Sequence, residues 1–258
     1  MDARVVILTG ADSGIGLAIL KNLLASGKYR IAALDLSDSN MSGLYSEYPG
    51  NLLISTCDVT DPEAVGESVE IAVSAWGGID ILVNNACLAL FGYFENKKTA
   101  EIRKEFEVNY FGAVNLINAV LPIMKAAGSG VIHNVSSGVG ITGFPGISGY
   151  ASTKGALEAL TRTLAIELAP LGITVNLIHP PLTRTRSSSP LGIPPQFMET
   201  PERAGKLLAA RVGSRKAVIT TDLKTSAGLW ASRHFPGPMG RLLAGMTEKA
   251  RKEGGSLE

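Results

Sequence analysis

The residues best suited to acid–base chemistry in this sequence are Tyr150 and Lys154, which stand four positions apart. On a helix this spacing places both side chains on one face, one turn apart. A tyrosine hydroxyl titrates near a pH of about 10, but a neighbouring ammonium group favours the phenolate and lowers its pKa. The pair therefore predicts a proton-transfer site in which Tyr150 exchanges the proton and Lys154 depresses the pKa of Tyr150.

The same spacing occurs again at Tyr93 and Lys97, so it is not specific by itself. Ser137 precedes Tyr150 and could hydrogen-bond a substrate oxygen, whereas Asp80 holds the equivalent place before Tyr93. We therefore place the catalytic centre at Tyr150 and interpret Tyr93 as a surface or loop aromatic.

A glycine-rich turn follows the first predicted strand and opens the first predicted helix. Gly10, Gly14 and Gly16 let the backbone turn tightly and approach a pyrophosphate, whose charge is favoured at a helix N-terminus. Residues 138–143 have the generic spacing of a second dinucleotide loop, but no helical pattern follows them. We predict a dinucleotide site at the first turn and a flexible loop at the second.

Asp35 ends the second predicted strand, about 20 residues beyond the glycine turn, where a carboxylate can bind the adenosine ribose. Its charge repels the extra phosphate of NADP(H). No Lys or Arg stands just before Gly14 or just after Asp35 to offset that repulsion. The sequence therefore predicts NAD(H) as the cofactor.

Short apolar, β-branched segments alternate with longer helical patterns, which indicates a doubly wound parallel sheet of the Rossmann type. The predicted strands are 5–9, 30–35, 52–56, 79–84, 130–135, 174–178 and 217–219. The predicted helices are 14–26, 62–76, 99–125 and 150–169, and Pro122 should end or kink the third. We expect one α/β domain over 1–258, with about seven strands and helices on both faces of the sheet.

The composition changes after His179, where the chain becomes rich in Pro, Ser and Gly. This stretch is too long for a simple connection and predicts a substrate lid over 186–205. Residues 222–252 predict a C-terminal helical extension, whose amphipathic part, 239–252, we expect over the cleft rather than on a membrane.

Bulk properties exclude several classes of function. The chain has 24 Lys and Arg against 23 Asp and Glu and no dense basic run, so we expect no nucleic-acid partner. Its three histidines lack metal-ligand spacing, so we expect no metal. Cys57 and Cys87 do not make a disulfide framework, which fits a cytoplasmic location. No apolar stretch is expected to span a membrane.

Further short motifs follow the glycine turn in a fixed order: Asp58-Val59, Asn84-Asn85-Ala86, Val108-Asn109-Tyr110, Ser136-Ser137 and His179-Pro180-Pro181-Leu182-Thr183-Arg184-Thr185. Together with Tyr150 and Lys154, they resemble the single-domain, NAD-dependent branch of the short-chain dehydrogenase/reductase family over about 5–185. Two positions depart from the family pattern, because Cys87 and Pro181 each replace a usual glycine.

The resemblance implies a set of site residues. The implied catalytic residues are Asn109, Ser137, Tyr150 and Lys154. The implied cofactor contacts are Gly10, Ser13, Gly14, Ile15, Gly16, Asp35, Asp58, Val59, Asn85, Ala86, Tyr150, Lys154, Pro180, Thr183 and Thr185. In this scheme Asn109 anchors a water that leads to Lys154, and Lys154 also holds the ribose.

The resemblance further implies hydride transfer between NAD(H) and a small secondary alcohol or ketone, with Tyr150 as general acid or base. Apolar residues near the site favour a moderately apolar substrate; they are Leu88, Ala89, Leu90, Phe91, Phe144, Leu191, Ile193 and Phe197. A homodimer or homotetramer built on helices 99–125 and 150–169 is also implied. Two other functions stay open: a dinucleotide-binding sensor or scaffold without turnover, and an epimerase or dehydratase on the same fold.

Overall fold

The computed structural model describes residues 3–189, 193, 195–242 and 244–245. Within these residues, seven strands form one parallel sheet in the order β3-β2-β1-β4-β5-β6-β7. The strands are β1 (Arg4–Thr9), β2 (Tyr29–Asp35), β3 (Leu52–Thr56), β4 (Ile81–Asn84), β5 (Gly130–Val135), β6 (Ile173–His179) and β7 (Val218–Thr220). The predicted doubly wound parallel sheet is confirmed.

Helices connect the strands and cover both faces of the sheet. They are α1 (Gly14–Ala25), α2 (Leu44–Glu47), α3 (Pro62–Trp76), α4 (Thr99–Phe106), α5 (Gly112–Ala127), α6 (Val139–Thr142), α7 (Ser148–Leu168), α8 (Pro201–Ala209) and α9 (Leu223–His234). A π-helical turn, Glu107–Phe111, joins α4 to α5.

Two apolar layers sandwich the sheet. Along β1, Val6 and Leu8 pack into the layer that contains α1 and α8, whereas Val5 and Ile7 pack into the layer that contains α3, α5 and the end of α7. Successive side chains of a strand point to opposite faces, so both sets must be apolar when both faces are covered. This explains why the predicted strands are continuous apolar runs.

Local signals fix the ends of α3 as predicted. Asp61 accepts hydrogen bonds from the backbone N–H groups of Glu63 and Ala64, and Pro62 occupies the first helical position. Gly77 then ends the helix in the left-handed conformation, at φ +81°.

Two local predictions were wrong. Pro122 was predicted to end or kink its helix, and the end is wrong, because α5 runs through Pro122 to Ala127. Pro122 has no N–H to donate to the carbonyl of Asn118 one turn earlier. Both residues are exposed, so water can bind that carbonyl instead. Residues 138–143 are not a simple loop, because 139–142 form α6. Gly140 packs so closely on α7 that a Cβ there would lie 2.9 Å from the carbonyl carbon of Lys154.

The helical segment 99–127 has the length and hydropathy of a membrane span, contrary to the expectation that no stretch of the chain does. In this fold α5 packs against α3, β4 and β5 and contributes Leu116 and Val120 to the core. We therefore describe it as a core helix.

The predicted lid and C-terminal extension contain regular structure. Residues 201–205 of the predicted lid begin α8, in which Gly205 packs directly on Ala18 of α1. The extension contains α9 and a helical stretch over 236–242. Pro190, Leu191, Gly192 and Pro194 of the lid, and residues 243 and 246–252 of the extension, lie outside the described residues.

Candidate active site

The predicted site residues gather at the carboxyl ends of the strands. Strands β1 and β4 are neighbours although they are not consecutive, so the strand order reverses between them. In open α/β sheets, ligands bind in the crevice at this reversal. Thr9 and Asn84 end these two strands, and Ser137 follows β5 at the same edge.

Glycine is required at the turn between β1 and α1. Gly10 and Gly14 have φ values of +65° and +52°, which favour glycine. A Cβ at Gly10 would lie 2.8 Å from the Cα of Ala86, and one at Gly16 would collide with the carbonyl oxygen of Gly10. The turn is therefore a backbone cradle that side chains would fill.

Asn85 and Ala86 hold this cradle in place. The Thr9 hydroxyl accepts hydrogen bonds from the backbone N–H groups of Asn85 and Ala86, both at 3.0 Å. The Asn85 amide donates to the carbonyls of Thr9 and Gly10, also at 3.0 Å. Both residues were predicted as cofactor contacts, and here they fix the shape of the glycine turn.

The N-terminus of α1 is open to an anion. Ser13 precedes the helix and its side chain makes no capping hydrogen bond to the described residues, and the first turn, which includes Ile15, carries no acidic side chain. Thr185 lies over the turn, because a Cβ built on Gly14 would be 3.4 Å from its methyl carbon. The glycine cradle and the uncapped N–H groups fit the pyrophosphate of a dinucleotide.

Asp35 lies beside the cradle at the end of β2. Its two carboxylate oxygens accept hydrogen bonds from the backbone N–H groups of Asp12, at 2.8 Å, and Leu36, at 2.7 Å. Each oxygen keeps a further acceptor site, which suits a ribose diol. Asp12 is itself buried and accepts from the backbone N–H groups of Asn40 and Met41, a role that the sequence did not predict.

The remaining predicted cofactor residues sit in short, locally bonded segments. Asp58 is exposed and accepts from Thr60, while buried Val59 packs on Gly112 of α5. Thr183 is buried and donates its hydroxyl proton to the Pro181 carbonyl at 2.7 Å. Pro180 directly follows β6.

The structure brings Ser137, Tyr150 and Lys154 together. The Lys154 Nζ lies 5.5 Å from the centroid of the Tyr150 ring and donates a hydrogen bond to the Val135 carbonyl at 2.8 Å. Lys154 is 3% exposed. The side chain of Ser137 is close enough to the phenol of Tyr150 to lower its pKa.

The predicted depression of the Tyr150 pKa was wrong for this arrangement. Burial raises the pKa of Tyr150 well above its usual range, nearby Cys87 raises it further, and the neighbouring Ser137 side chain only partly offsets this. Burial also lowers the pKa of Lys154, although nearby Cys87 acts in the opposite direction. Desolvation therefore outweighs the stabilisation of phenolate that the spacing suggested.

Asn109 lies in the π-helical turn and joins the segment at Leu88 to Thr153 of α7. Its Oδ1 accepts from the Leu88 N–H at 2.6 Å, and its Nδ2 donates to the Leu88 carbonyl at 2.8 Å and the Thr153 hydroxyl at 3.0 Å. Thr153 donates in turn to the carbonyl of Tyr150 at 2.7 Å. A cavity of about 10 Å³ between Asn109 and Lys154 has room for about one water.

Several buried polar residues around the site were not predicted. Glu158 accepts a hydrogen bond from Ser136 at 3.1 Å and lies 3.5 Å from the His179 Nε2. Burial, followed by the nearby charges of Arg233 and Lys154, lowers the pKa of His179 to about 4. His179 is therefore neutral at pH 7, and its contact with Glu158 is not a charged pair.

Lys97, Glu105 and Gly149, which precedes Tyr150, also lie together. None of the three was predicted as a site residue, and Lys97 was considered only as the partner of Tyr93. Tyr93, the other half of that motif, is 49% exposed, as expected of a surface aromatic. The sequence contained one indication that Glu105 lies near the site, because Glu105 stands four residues before Asn109 and shares its helix face.

Comparison with known proteins agrees with this geometry. The family model for short chain dehydrogenases matches residues 4–193. The chain belongs to the short-chain dehydrogenase family. Short-chain dehydrogenases are oxidoreductases that use a nicotinamide dinucleotide and act on small molecules.

Curated relatives and solved structures resemble this short-chain dehydrogenase over most of its length. It is 38% identical to the uncharacterized oxidoreductase YusZ of Bacillus subtilis over 70% of this chain and 65% of that protein, just under two thirds of its length. It is 35% identical to a 3-alpha-(or 20-beta)-hydroxysteroid dehydrogenase of Mycobacterium bovis, over 70% of each chain. A short-chain dehydrogenase structure from Streptomyces avermitilis superposes with a TM-score of 0.78 at 29% identity, covering 99% of this chain and 100% of the other.

Proposed function

We propose that this short-chain dehydrogenase transfers a hydride between NAD(H) and a secondary alcohol or ketone, with Tyr150 as the general acid or base. The observation that carries the proposal is the placement of Tyr150 between Ser137 and Lys154, at the sheet edge that also holds the glycine cradle. A sensor that only bound a dinucleotide would need the cradle, and Lys154 to hold the ribose, but no group for proton transfer.

The residues act on the substrate oxygen in this proposal. Ser137 donates a hydrogen bond to the carbonyl oxygen, and Tyr150 transfers its phenolic proton to that oxygen as negative charge develops there. The bound nicotinamide supplies the hydride. The raised pKa of Tyr150 keeps the phenol protonated at neutral pH, which is the form that can donate a proton to a ketone.

NAD(H) is the proposed cofactor because of Asp35. Its carboxylate stands at the end of β2, and the flanking positions, Ser13 before the helix and Leu36 after the strand, carry no cation for a ribose phosphate. A negative charge at this place disfavours the doubly charged phosphate of NADP(H).

A moderately apolar ketone or alcohol is the proposed substrate. Residues 88–91 form a half-buried apolar segment between Cys87 and the exposed turn at Tyr93. Cys87 is close enough to Tyr150 to raise its pKa. We call residues 88–91 the apolar wall. The name of the Mycobacterium bovis relative supports the same class, because a hydroxysteroid is an apolar secondary alcohol.

A homodimer or homotetramer is also proposed, through the long helices. Phe111, between α4 and α5, is 46% exposed, and Ile166 of α7 is 77% exposed. Large exposed apolar side chains on these helices favour a protein partner. Sedimentation velocity at micromolar concentration tests this, and a monomer would contradict it.

The function is tested by following NADH absorbance with a panel of apolar ketones, for the unaltered protein and for Tyr150→Phe. We expect turnover by the unaltered protein and a loss of at least about 100-fold in kcat for the variant, with NADH affinity unchanged. Tyr93→Phe is the matched control and should keep full activity. Substantial turnover by Tyr150→Phe would remove Tyr150 from the role, and NADH binding without turnover of any ketone or alcohol would favour a sensor.

A further inference from the structure

A buried ion pair lies beside the catalytic group but takes no part in the proposed proton transfer. The Lys97 Nζ is 2.9 Å from the Glu105 Oε2, and the two side chains are 2% and 0% exposed. Removing two charges from water is costly, and apolar residues of similar volume often stabilise a fold as well or better. Stability alone therefore does not account for this pair.

The ion pair holds one residue of the apolar wall from both sides. The backbone N–H of Leu90 donates to the Glu105 Oε1 at 2.9 Å, and the Lys97 Nζ donates to the Leu90 carbonyl at 2.6 Å. The N–H and the carbonyl of Leu90 are thus each bound to a charged side chain. Hydrogen bonds to charged groups are stronger than those between neutral groups. Asn109 lies one helical turn beyond Glu105. Its amide likewise hydrogen-bonds both the N–H and the carbonyl of Leu88.

The same carboxylate lies against the residue that precedes Tyr150. A Cβ at Gly149 would lie 2.9 Å from the Cδ of Glu105 and would collide with its Oε2. A second connection joins the two segments, because the Gly92 N–H donates to the Gly146 carbonyl at 2.9 Å. Glu105 therefore touches both the apolar wall and the start of α7.

We propose that Lys97 and Glu105 are positioning residues that fix the apolar wall relative to Tyr150 and so determine how an apolar ketone is placed for proton transfer. This inference rests on the proposed function for its kinetic consequence. Its geometric content, the coupling of residues 88–91 to the start of α7, does not depend on the reaction.

The principal variant is Lys97→Met combined with Glu105→Leu, which removes both charges together and fills the core with apolar groups. It leaves the peptide groups of Leu90 without charged partners. We expect kcat/KM for the best ketone to fall about 10- to 100-fold, with a raised KM for the ketone, because small misplacements at a reacting centre cost this much. The KM for NADH should not change. A merely structural role would lower kcat through loss of active protein and leave both KM values unchanged.

The matched control is Lys98→Met combined with Glu107→Leu, since both side chains are exposed neighbours of the ion pair. It should keep the kinetics of the unaltered enzyme. Gly149→Ala provides a second variant if the principal one does not fold, because it leaves both charges in place and pushes Glu105 from the other side. It should raise the KM for the ketone in the same way.

A measurement without turnover separates this inference from the proposed function. Hydrogen exchange of the peptide that contains Leu90 should be faster in the principal variant than in the control. The rate of alkylation of exposed Cys87 should also differ between these two variants, while buried Cys57 stays unreactive. Unchanged exchange and unchanged KM for the ketone would overturn the inference. If the unaltered protein reduces no ketone, the proposed function fails, and the exchange result alone then decides whether the pair positions the apolar wall.

Discussion

At the scale of single residues, the carboxylate of Asp35 meets the backbone N–H groups of Asp12 and Leu36 at the edge of the glycine cradle. Leu36 directly follows the strand, and its side chain is 69% exposed. In the proposed function, this charge and its apolar neighbour determine the choice between the two nicotinamide dinucleotides.

Replacing Asp35 by Ser and Leu36 by Arg should move the preference toward NADPH. The change removes a repulsive carboxylate and adds a guanidinium that can hydrogen-bond a phosphate, so the ratio of NADPH to NADH affinity should rise roughly 10- to 100-fold. Fluorescence titration of both cofactors measures it, with Lys28→Ala as a distant surface control. Tighter binding of NADPH than NADH by the unaltered protein would contradict the assignment of Asp35.

At the scale of elements, the turn between β1 and α1 is fixed by contacts with the end of β4. Gly16 lies against the Gly10 carbonyl, and Asn85 binds that same carbonyl at 3.0 Å. The turn, the first helix and β4 therefore form one unit whose geometry a single methyl group would disturb.

Gly16→Ala should weaken NADH binding by at least about tenfold, because overpacking shifts the backbone that approaches the pyrophosphate. Isothermal titration calorimetry measures the affinity. Gly66→Ala in α3 is the matched control, since a Cβ there meets no atom of the described residues within 4 Å. We expect the control to bind NADH normally and to gain about 0.5–1 kcal/mol of stability from its helix position. Equal NADH affinity for both variants would contradict the expectation that the glycine cradle binds the pyrophosphate.

At the scale of the whole molecule, His133 joins three parts of the chain inside the core. It is 0% exposed, its Nδ1 lies 2.6 Å from the Oδ1 of Asn176, and its Nε2 accepts a hydrogen bond from the Gly213 N–H at 2.8 Å. Burial, and then the charge of Arg4, lower the pKa of His133 to about 4, although its bond to Asn176 acts in the opposite direction.

The protein should therefore lose stability in acid. The usual histidine pKa of 6.5 lies above the folded value of about 4, so the unfolded chain binds the proton first. Stability is complete above about pH 6.5 and declines as the pH falls toward 4, by on the order of 3 kcal/mol for His133. Buried His179 acts in the same direction.

Urea unfolding at pH 7 and pH 4.5 measures this loss. His133→Gln should be less stable at pH 7 and should show a smaller difference between the two pH values. His234→Gln, at an exposed histidine, should leave the difference unchanged. If His133→Gln loses as much stability between pH 7 and pH 4.5 as the unaltered protein does, other groups cause the acid sensitivity.

The positions of the strands followed from the sequence because both faces of a covered parallel sheet demand apolar residues. All seven predicted strands are present, and their ends differ by at most two residues, as in β4, predicted over 79–84 and observed over 81–84. Helix α6 could not be predicted, because its close contact with α7 decides it. The oligomeric state and cytoplasmic location stay predictions.

The sequence alone determined the types of the candidate catalytic residues and the sheet edge where they meet. The carboxyl ends of parallel strands share one edge, and the motifs follow those ends. Tertiary structure decided what surrounds them. The buried pair of Lys97 and Glu105 depends on loops folding onto α4 and α7, which spacing does not encode. The raised pKa of Tyr150 depends on desolvation, a property of all the atoms packed around a group and not of its neighbours in sequence.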